Sequence, residues 1–221
     1  MTEKKRTILH LIVGTVGTVA SLLAANAFSQ YVLMSLQLGA RMVLMICAYW
    51  LIAIVPFAIM IFAKDRLNDY GFNKEKIGYQ VIVGIMVGLC MSAVFTLVPS
   101  LLGKNEWVNN GHNYQEWWQF VCEFVYCIAA IGLVEEFVFR GFVFNKIKAL
   151  SGSNKVAIAG SSVLFGLFHF LSGNIIQLIM TAFLGVIFCL CKEKIKNCTL
   201  LSVIIAHGVY DAMITVWGFV F

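Results

Sequence analysis

The sequence predicts an all-α fold, a bundle of transmembrane helices in a single integral-membrane domain over residues 1–221. Three observations carry this. Of the 221 residues, 61% are hydrophobic and only 12% charged, with a mean hydropathy of +0.88; a soluble domain is about half apolar and a quarter charged. The apolar runs last about 20 residues, the length a helix needs to cross hydrocarbon. A backbone in lipid must satisfy its own hydrogen bonds, which leaves helices or a closed barrel, and barrel strands would alternate over shorter segments. Finally, the basic residues fall on one set of connectors, as in a polytopic membrane protein.

Seven runs are expected in order. The first, 8–27, follows Lys4, Lys5 and Arg6 and contains Ala25-Asn26-Ala27, which resembles a signal-peptidase site. The run is long for a signal peptide and the rest of the chain is membrane-bound, so it is read as an uncleaved helix. The second is 41–63 and the third 77–102. Gly84 and Gly88 give the third a small-xxx-small pattern, too common in glycine-rich membrane helices to decide anything alone. A long connector rich in aromatics (Trp107, Tyr114, Trp117, Trp118) leads to the fourth run, 118–144, and suits a membrane interface. The fifth, 156–170, is short and carries the slim segment Ala157 to Ser162 (AIAGSS), suited to deep packing. The sixth is 175–191 and the seventh 200–221. Residues 118–221 form the motif-bearing core.

With the N-terminus in the cytoplasm, fourteen of the 16 Lys and Arg fall on the inner side, Arg140 among them, and only Arg41 and Lys104 on the outer. This supports seven spans with the C-terminus outside. The net charge of +5 is therefore a membrane-topology signal, not a nucleic-acid signal. The seven cysteines (47, 90, 122, 127, 189, 191 and 198) lie mostly in apolar runs without a CxxC pair, and are read as buried small hydrophobes outside any disulfide framework.

An ionisable group inside the membrane costs about 2.5–3.5 kcal/mol and is a functional candidate by default. The set is Glu123, Glu135, Glu136, Arg140, His169, His207 and Asp211. Glu136 and Arg140 are four apart and share a helix face, so they can pair. Glu135 points about 100° away from Glu136 and is left as a buried acid with another task. His207 and Asp211 are also four apart, and a carboxylate beside an imidazole fixes its tautomer. Glu123 is read as a packing residue. From the span centres, Glu135, His169, His207 and Asp211 fall within about 10 Å of the bilayer midplane. Three helices thus bring acid and base groups to one depth, which suits water activation. No GxSxG or HExxH pattern offers another route.

Glu135-Glu136-Phe-Val-Phe-Arg140, Phe165-Gly-Leu-Phe-His169 and His207-Gly-Val-Tyr-Asp211 together resemble the EExxxR, FxxxH and HxxxN/D motifs of the CAAX protease and bacteriocin-processing family of intramembrane endopeptidases. The resemblance implies a glutamate-type peptidase without a cofactor or metal. Glu135 would activate water with His169 assisting, His207 and Asp211 would stabilise the oxyanion, and Glu136 with Arg140 would be a supporting ion pair. Because an ionised aspartate cannot donate to an oxyanion, Asp211 is expected to orient His207. The implied partners are the lipid bilayer and a membrane-associated or amphipathic peptide, in a bacterial cytoplasmic membrane, in bacteriocin or signal-peptide processing or self-immunity. Two other readings stay open. One is a zinc protease using Glu135, His169 and His207; the other is a non-catalytic immunity or regulatory protein. A proton-coupled transporter is more distant, because the ionisable residues cluster instead of forming a path.

Overall fold

The computed structural model describes residues 2–104, 114, 116–170 and 175–221; Trp107 lies outside them. Every regular element among the described residues is helical. Helix α1 (Glu3–Tyr31) starts where the Thr2 hydroxyl accepts from the Lys5 N–H, well before the apolar run begins. Its start is set by a cap, not by hydropathy. It packs as an integral helix, seating Gly14 on Phe142 and Gly17 on Val55.

Helix α2 (Leu38–Trp50) passes through a 3₁₀ turn (Leu51–Ala53) into α3 (Ile54–Ala63). Pro56 has no N–H for the carbonyl one turn earlier, and the tightened turn absorbs that loss. Helix α4 (Ile77–Ser92) likewise runs through a π stretch (Ala93–Leu97) into α5 (Val98–Leu101), with Pro99 just beyond the distortion. The next run is helical over 117–151 but changes character four times. It comprises α6 (Trp117–Tyr126), a π stretch (Cys127–Gly132), α7 (Leu133–Glu136), a second π stretch (Phe137–Val143) and α8 (Phe144–Ser151). Helices α9 (Asn154–His169), α10 (Ile175–Lys194) and α11 (Leu200–Val220) complete the described chain.

Among the described residues, five segments are long and apolar enough to cross a membrane: Glu3–Ser35, Leu38–Ala63, Ile77–Leu101, Ile175–Lys194 and Leu200–Val220. The fourth and fifth expected runs are helical but different. One carries the acidic pair between two π stretches, and α9 has only 16 residues. Burial separates the roles. In α11, 67% of the apolar window is buried, against 17–28% in the other four. Helix α11 is therefore the axis, and the others turn apolar side chains such as Phe62 and Ile176 outward, as lipid permits.

Close approach to this axis uses glycine. A Cβ at Gly84 or Gly88 would come within 2.6 Å of the Ser202 or Ala206 carbonyl oxygen, so the small-xxx-small pattern is a contact face on α11. On the other side Gly132 and Gly208 face each other. A Cβ at Gly208 would meet the Ile128 Cα at 2.5 Å and the Cys127 oxygen at 2.7 Å. Those are backbone atoms and cannot rotate away. Gly208→Val is expected to cost about 1–3 kcal/mol or more as overpacking, and to displace the neighbouring His207. Thermal unfolding in detergent micelles checks this; a wild-type midpoint would show that the crossing is looser than described.

The connector between α3 and α4 clamps the helix bearing the acidic pair. The Asp65 carboxylate accepts from Lys146 Nζ and Tyr70 Oη, each at 2.9 Å. The Tyr70 ring stacks on Phe137 and Phe142 with centroids 5.6 and 6.3 Å apart. Partial burial pushes the Asp65 carboxyl up, but the bonds from Lys146 and Tyr70 outweigh it and hold the group below the ordinary 3.8. The native value thus lies under the unfolded one, so Asp65 stabilises the fold above that ordinary value and loses its contribution as pH falls through the native one. Below about pH 4 the unfolding midpoint should drop in wild type, and Asp65→Asn should flatten that part of the profile.

Two expectations need correction. Arg140 is completely buried and paired with Glu136, so it sits in the packed interior and is no loop residue. All seven cysteines are free, but only Cys127, Cys189 and Cys198 are buried, while Cys47 and Cys90 are exposed on the outer faces of their helices. A thiol is apolar enough for a lipid-facing position, so lying in an apolar run does not place it in the core.

Candidate active site

Glu135 and Glu136 are adjacent on α7 and both are buried, at 2% and 0% exposure. They face different partners. Glu136 Oε1 lies 3.1 Å from Arg140 Nη1, the expected pair one turn on. The same oxygen is 2.8 Å from His207 Nδ1 on α11. The guanidinium centre lies 4.1 Å over the Phe165 ring and 5.4 Å from that of Phe188. Gly185 on α10 leaves it room: a Cβ there would come within 3.1 Å of Arg140 Nη2. Lys192 Nζ donates to the Arg140 carbonyl at 2.9 Å, which ties α10 to the second π stretch.

His207 is held on every side. Phe188 stacks on it with centroids 5.0 Å apart, and Phe165 meets it edge-on at 5.9 Å. With Nδ1 committed to Glu136, Nε2 faces Asp211 Oδ2 at 3.3 Å and Glu135 Oε2 at 3.8 Å. The carboxylate that fixes the His207 tautomer is therefore Glu136, and Asp211 shares the opposite nitrogen. Asp211 thus lies beside His207, as the four-residue spacing leads one to expect, and Glu136 adds a second carboxylate on Nδ1. An acid four residues away on the same helix was the nearer candidate in sequence, but α7 crosses α11 closely enough to supply another.

His169, at the end of α9, places Nδ1 3.0 Å from the Phe165 carbonyl. A carbonyl only accepts, so Nδ1 carries a hydrogen toward it, and Nε2 lies on the side of Glu135 Oε2, 3.7 Å away. Glu135 Oε2 thus sees two imidazole nitrogens beyond hydrogen-bond range and has no hydrogen-bond partner. Its other oxygen, Oε1, accepts from the Tyr49 hydroxyl on α2. The structure brings all six motif residues into one cluster. Access to it is from the side of His169 and Asp211, whose side chains are 20% and 23% exposed.

Glu123 lies outside this cluster as a buried packing group. It accepts from Tyr114 Oη at 2.9 Å and from Thr215 Oγ1 on α11 at 3.4 Å, and the Cys127 thiol lies 3.7 Å away. Residues of the types that suit zinc are Glu135, His169 and His207; among the described residues no three such side chains stand in a metal-holding group. Three contributors went unread in the sequence: Tyr49, Phe188 and Lys192. For Tyr49 there was a usable signal. It lies in the middle of an apolar run, away from the interface where tyrosine usually settles.

The family model described as Type II CAAX prenyl endopeptidase Rce1-like matches residues 117–213, a stretch that holds all six motif residues. No curated protein and no solved structure matches the chain. The matched stretch begins at α6 and ends in α11, so it covers the distorted helix, the histidine helix α9 and the central axis. Over this region the chain is similar to the Rce1-like, type II CAAX prenyl endopeptidases, in agreement with the resemblance its three motifs carry.

Proposed function

We propose that the chain is a glutamate-type intramembrane peptidase that hydrolyses a peptide bond of a membrane-associated or amphipathic substrate. The observation that carries this is the bare Oε2 of Glu135, buried and facing the Nε2 atoms of His169 and His207. A buried acceptor left without a donor is costly, and a water offset from these atoms would satisfy it. That water donates one hydrogen to Glu135 Oε2, with His169 Nε2 assisting beside it. Its oxygen then attacks the scissile carbonyl carbon while Glu135 takes the first proton. Carboxylates flank both nitrogens of His207, so its imidazolium form satisfies Glu136 and Asp211 together, and its Nε2–H is the donor for the oxyanion. Glu135 then passes its proton to the leaving amine as the C–N bond breaks, which restores the carboxylate.

The setting proposed is a bacterial cytoplasmic membrane, with the N-terminus inside and a substrate drawn from bacteriocin or signal-peptide precursors, or a role in self-immunity. The residue types of Glu135, His169 and His207 also suit one rival, a zinc site. Purified protein in detergent, given a mixed peptide library with and without chelator, separates the two. New termini, read by mass spectrometry, should appear equally in both conditions. Cleavage lost to chelator and restored by zinc would establish the metalloenzyme instead. No new termini, together with a cellular function indifferent to Glu135, would leave a peptide-binding immunity protein.

A further inference from the structure

We infer that Tyr49 is a positioning residue for Glu135, an inference that rests on the peptidase reading above. Its hydroxyl donates to Glu135 Oε1 and leaves Oε2 as the oxygen turned toward the two histidines. A glutamate carboxylate can rotate about its last torsion and exchange its oxygens. With one oxygen bound and the other without a donor, that symmetry is broken.

The placement of Tyr49 is itself fixed. The next residue, Trp50, donates its indole N–H to the Ala129 carbonyl at 2.8 Å, which pins α2 to the first π stretch. The Tyr49 ring meets Tyr126 edge-on, with centroids 5.9 Å apart and an interplanar angle of 80°. One contact thus holds the backbone of α2 against the distorted helix and another holds the ring, so the phenol reaches Glu135 as part of a rigid surface. The groups facing Glu135 then divide by task. Tyr49 occupies Oε1, while His169 and His207 frame Oε2. Removing the phenol would leave Oε1 without its donor, and nothing would favour the productive rotamer.

This function lies outside the three motifs. It comes from a helix that the family match does not reach, since that match begins at residue 117. Tyr49 makes no bond to water or substrate in this scheme and acts only through Glu135.

The experiment pairs kinetics with a probe that does not depend on turnover. Tyr49→Phe should lower kcat about 10- to 100-fold, the value of one hydrogen bond to a charged group. KM should stay within about twofold, with the unfolding midpoint near wild type. A merely structural tyrosine would lower the midpoint or spread its effect over KM. In parallel, 3-fluorotyrosine placed at position 49 should give a ¹⁹F resonance that moves in the Glu135→Gln background. A resonance indifferent to Glu135→Gln would overturn the contact. An unchanged kcat in Tyr49→Phe, with Glu135→Gln inactive, would overturn the positioning role. If wild type and Glu135→Gln cleave alike, the peptidase reading fails and the positioning role falls with it. The ¹⁹F shift would then still report whether Tyr49 touches Glu135.

Discussion

Glu135→Gln is expected to lower kcat by roughly a hundred- to ten-thousand-fold, the usual worth of a positioned general base, while the protein folds as wild type does. Glutamine keeps the volume of the side chain and an oxygen that can still accept from Tyr49. It cannot take a proton from water. Its amide also turns N–H donors toward the place where the attacking water must give up a hydrogen, so the site is disabled with little change in packing. The basic groups nearest Glu135 are imidazole nitrogens at 3.7 and 3.8 Å, whereas Glu136 is paired with Arg140 at 3.1 Å. Glu136→Gln should therefore lose stability as well as rate, and Glu135→Gln rate alone. Initial rates on any peptide cleaved by wild type, set beside unfolding midpoints in the same detergent, make the distinction. A Glu135→Gln protein with near-wild-type turnover would sink the glutamate mechanism.

Arg140→Ala carries the largest expected loss of stability. The guanidinium is wholly buried, lies over Phe165 and pairs with Glu136 at 3.1 Å. Removing one partner of a buried ion pair typically costs about 3–5 kcal/mol, because the other charge is left uncompensated. That is a large share of the roughly 5–15 kcal/mol by which a domain is usually stable. The double variant Glu136→Gln/Arg140→Met should recover part of the loss, since no lone charge remains. It should stay inactive, because His207 Nδ1 would face an amide in place of a carboxylate. Arg140→Lys should rescue only weakly: an ammonium neutralises Glu136 but cannot lay a planar group over Phe165. A cycle of single and double variants, followed by thermal unfolding, would show coupling between the two positions. Strict additivity would mean that the pair is not the stabilising unit.

The expected ion pair formed because a helix keeps residues four apart on one face, and it survives even though the second π stretch begins at Phe137. The acidic pair was also legible as two groups with two tasks, from the angle between adjacent residues. The tautomer partner of His207 was not legible. Sequence spacing offers only neighbours on the same helix, and Glu136 reaches His207 from 71 residues away. Tyr49 escaped for the same reason, with 86 residues between it and Glu135.

The sequence by itself determined the all-helical membrane architecture, because lipid admits few backbone solutions and apolar run lengths report them. It also singled out the ordered set Glu135, Glu136, Arg140, His169, His207 and Asp211 as candidates, because ionisable groups in hydrocarbon are costly. Only the tertiary structure decided which helix is the axis, how Gly132 and Gly208 let α11 approach the first π stretch, and which oxygen of Glu135 is bound by Tyr49. Those outcomes depend on packing between distant segments, where a few tenths of an ångström at a backbone crossing decide which side chains meet. Periodicity along one helix holds no record of that.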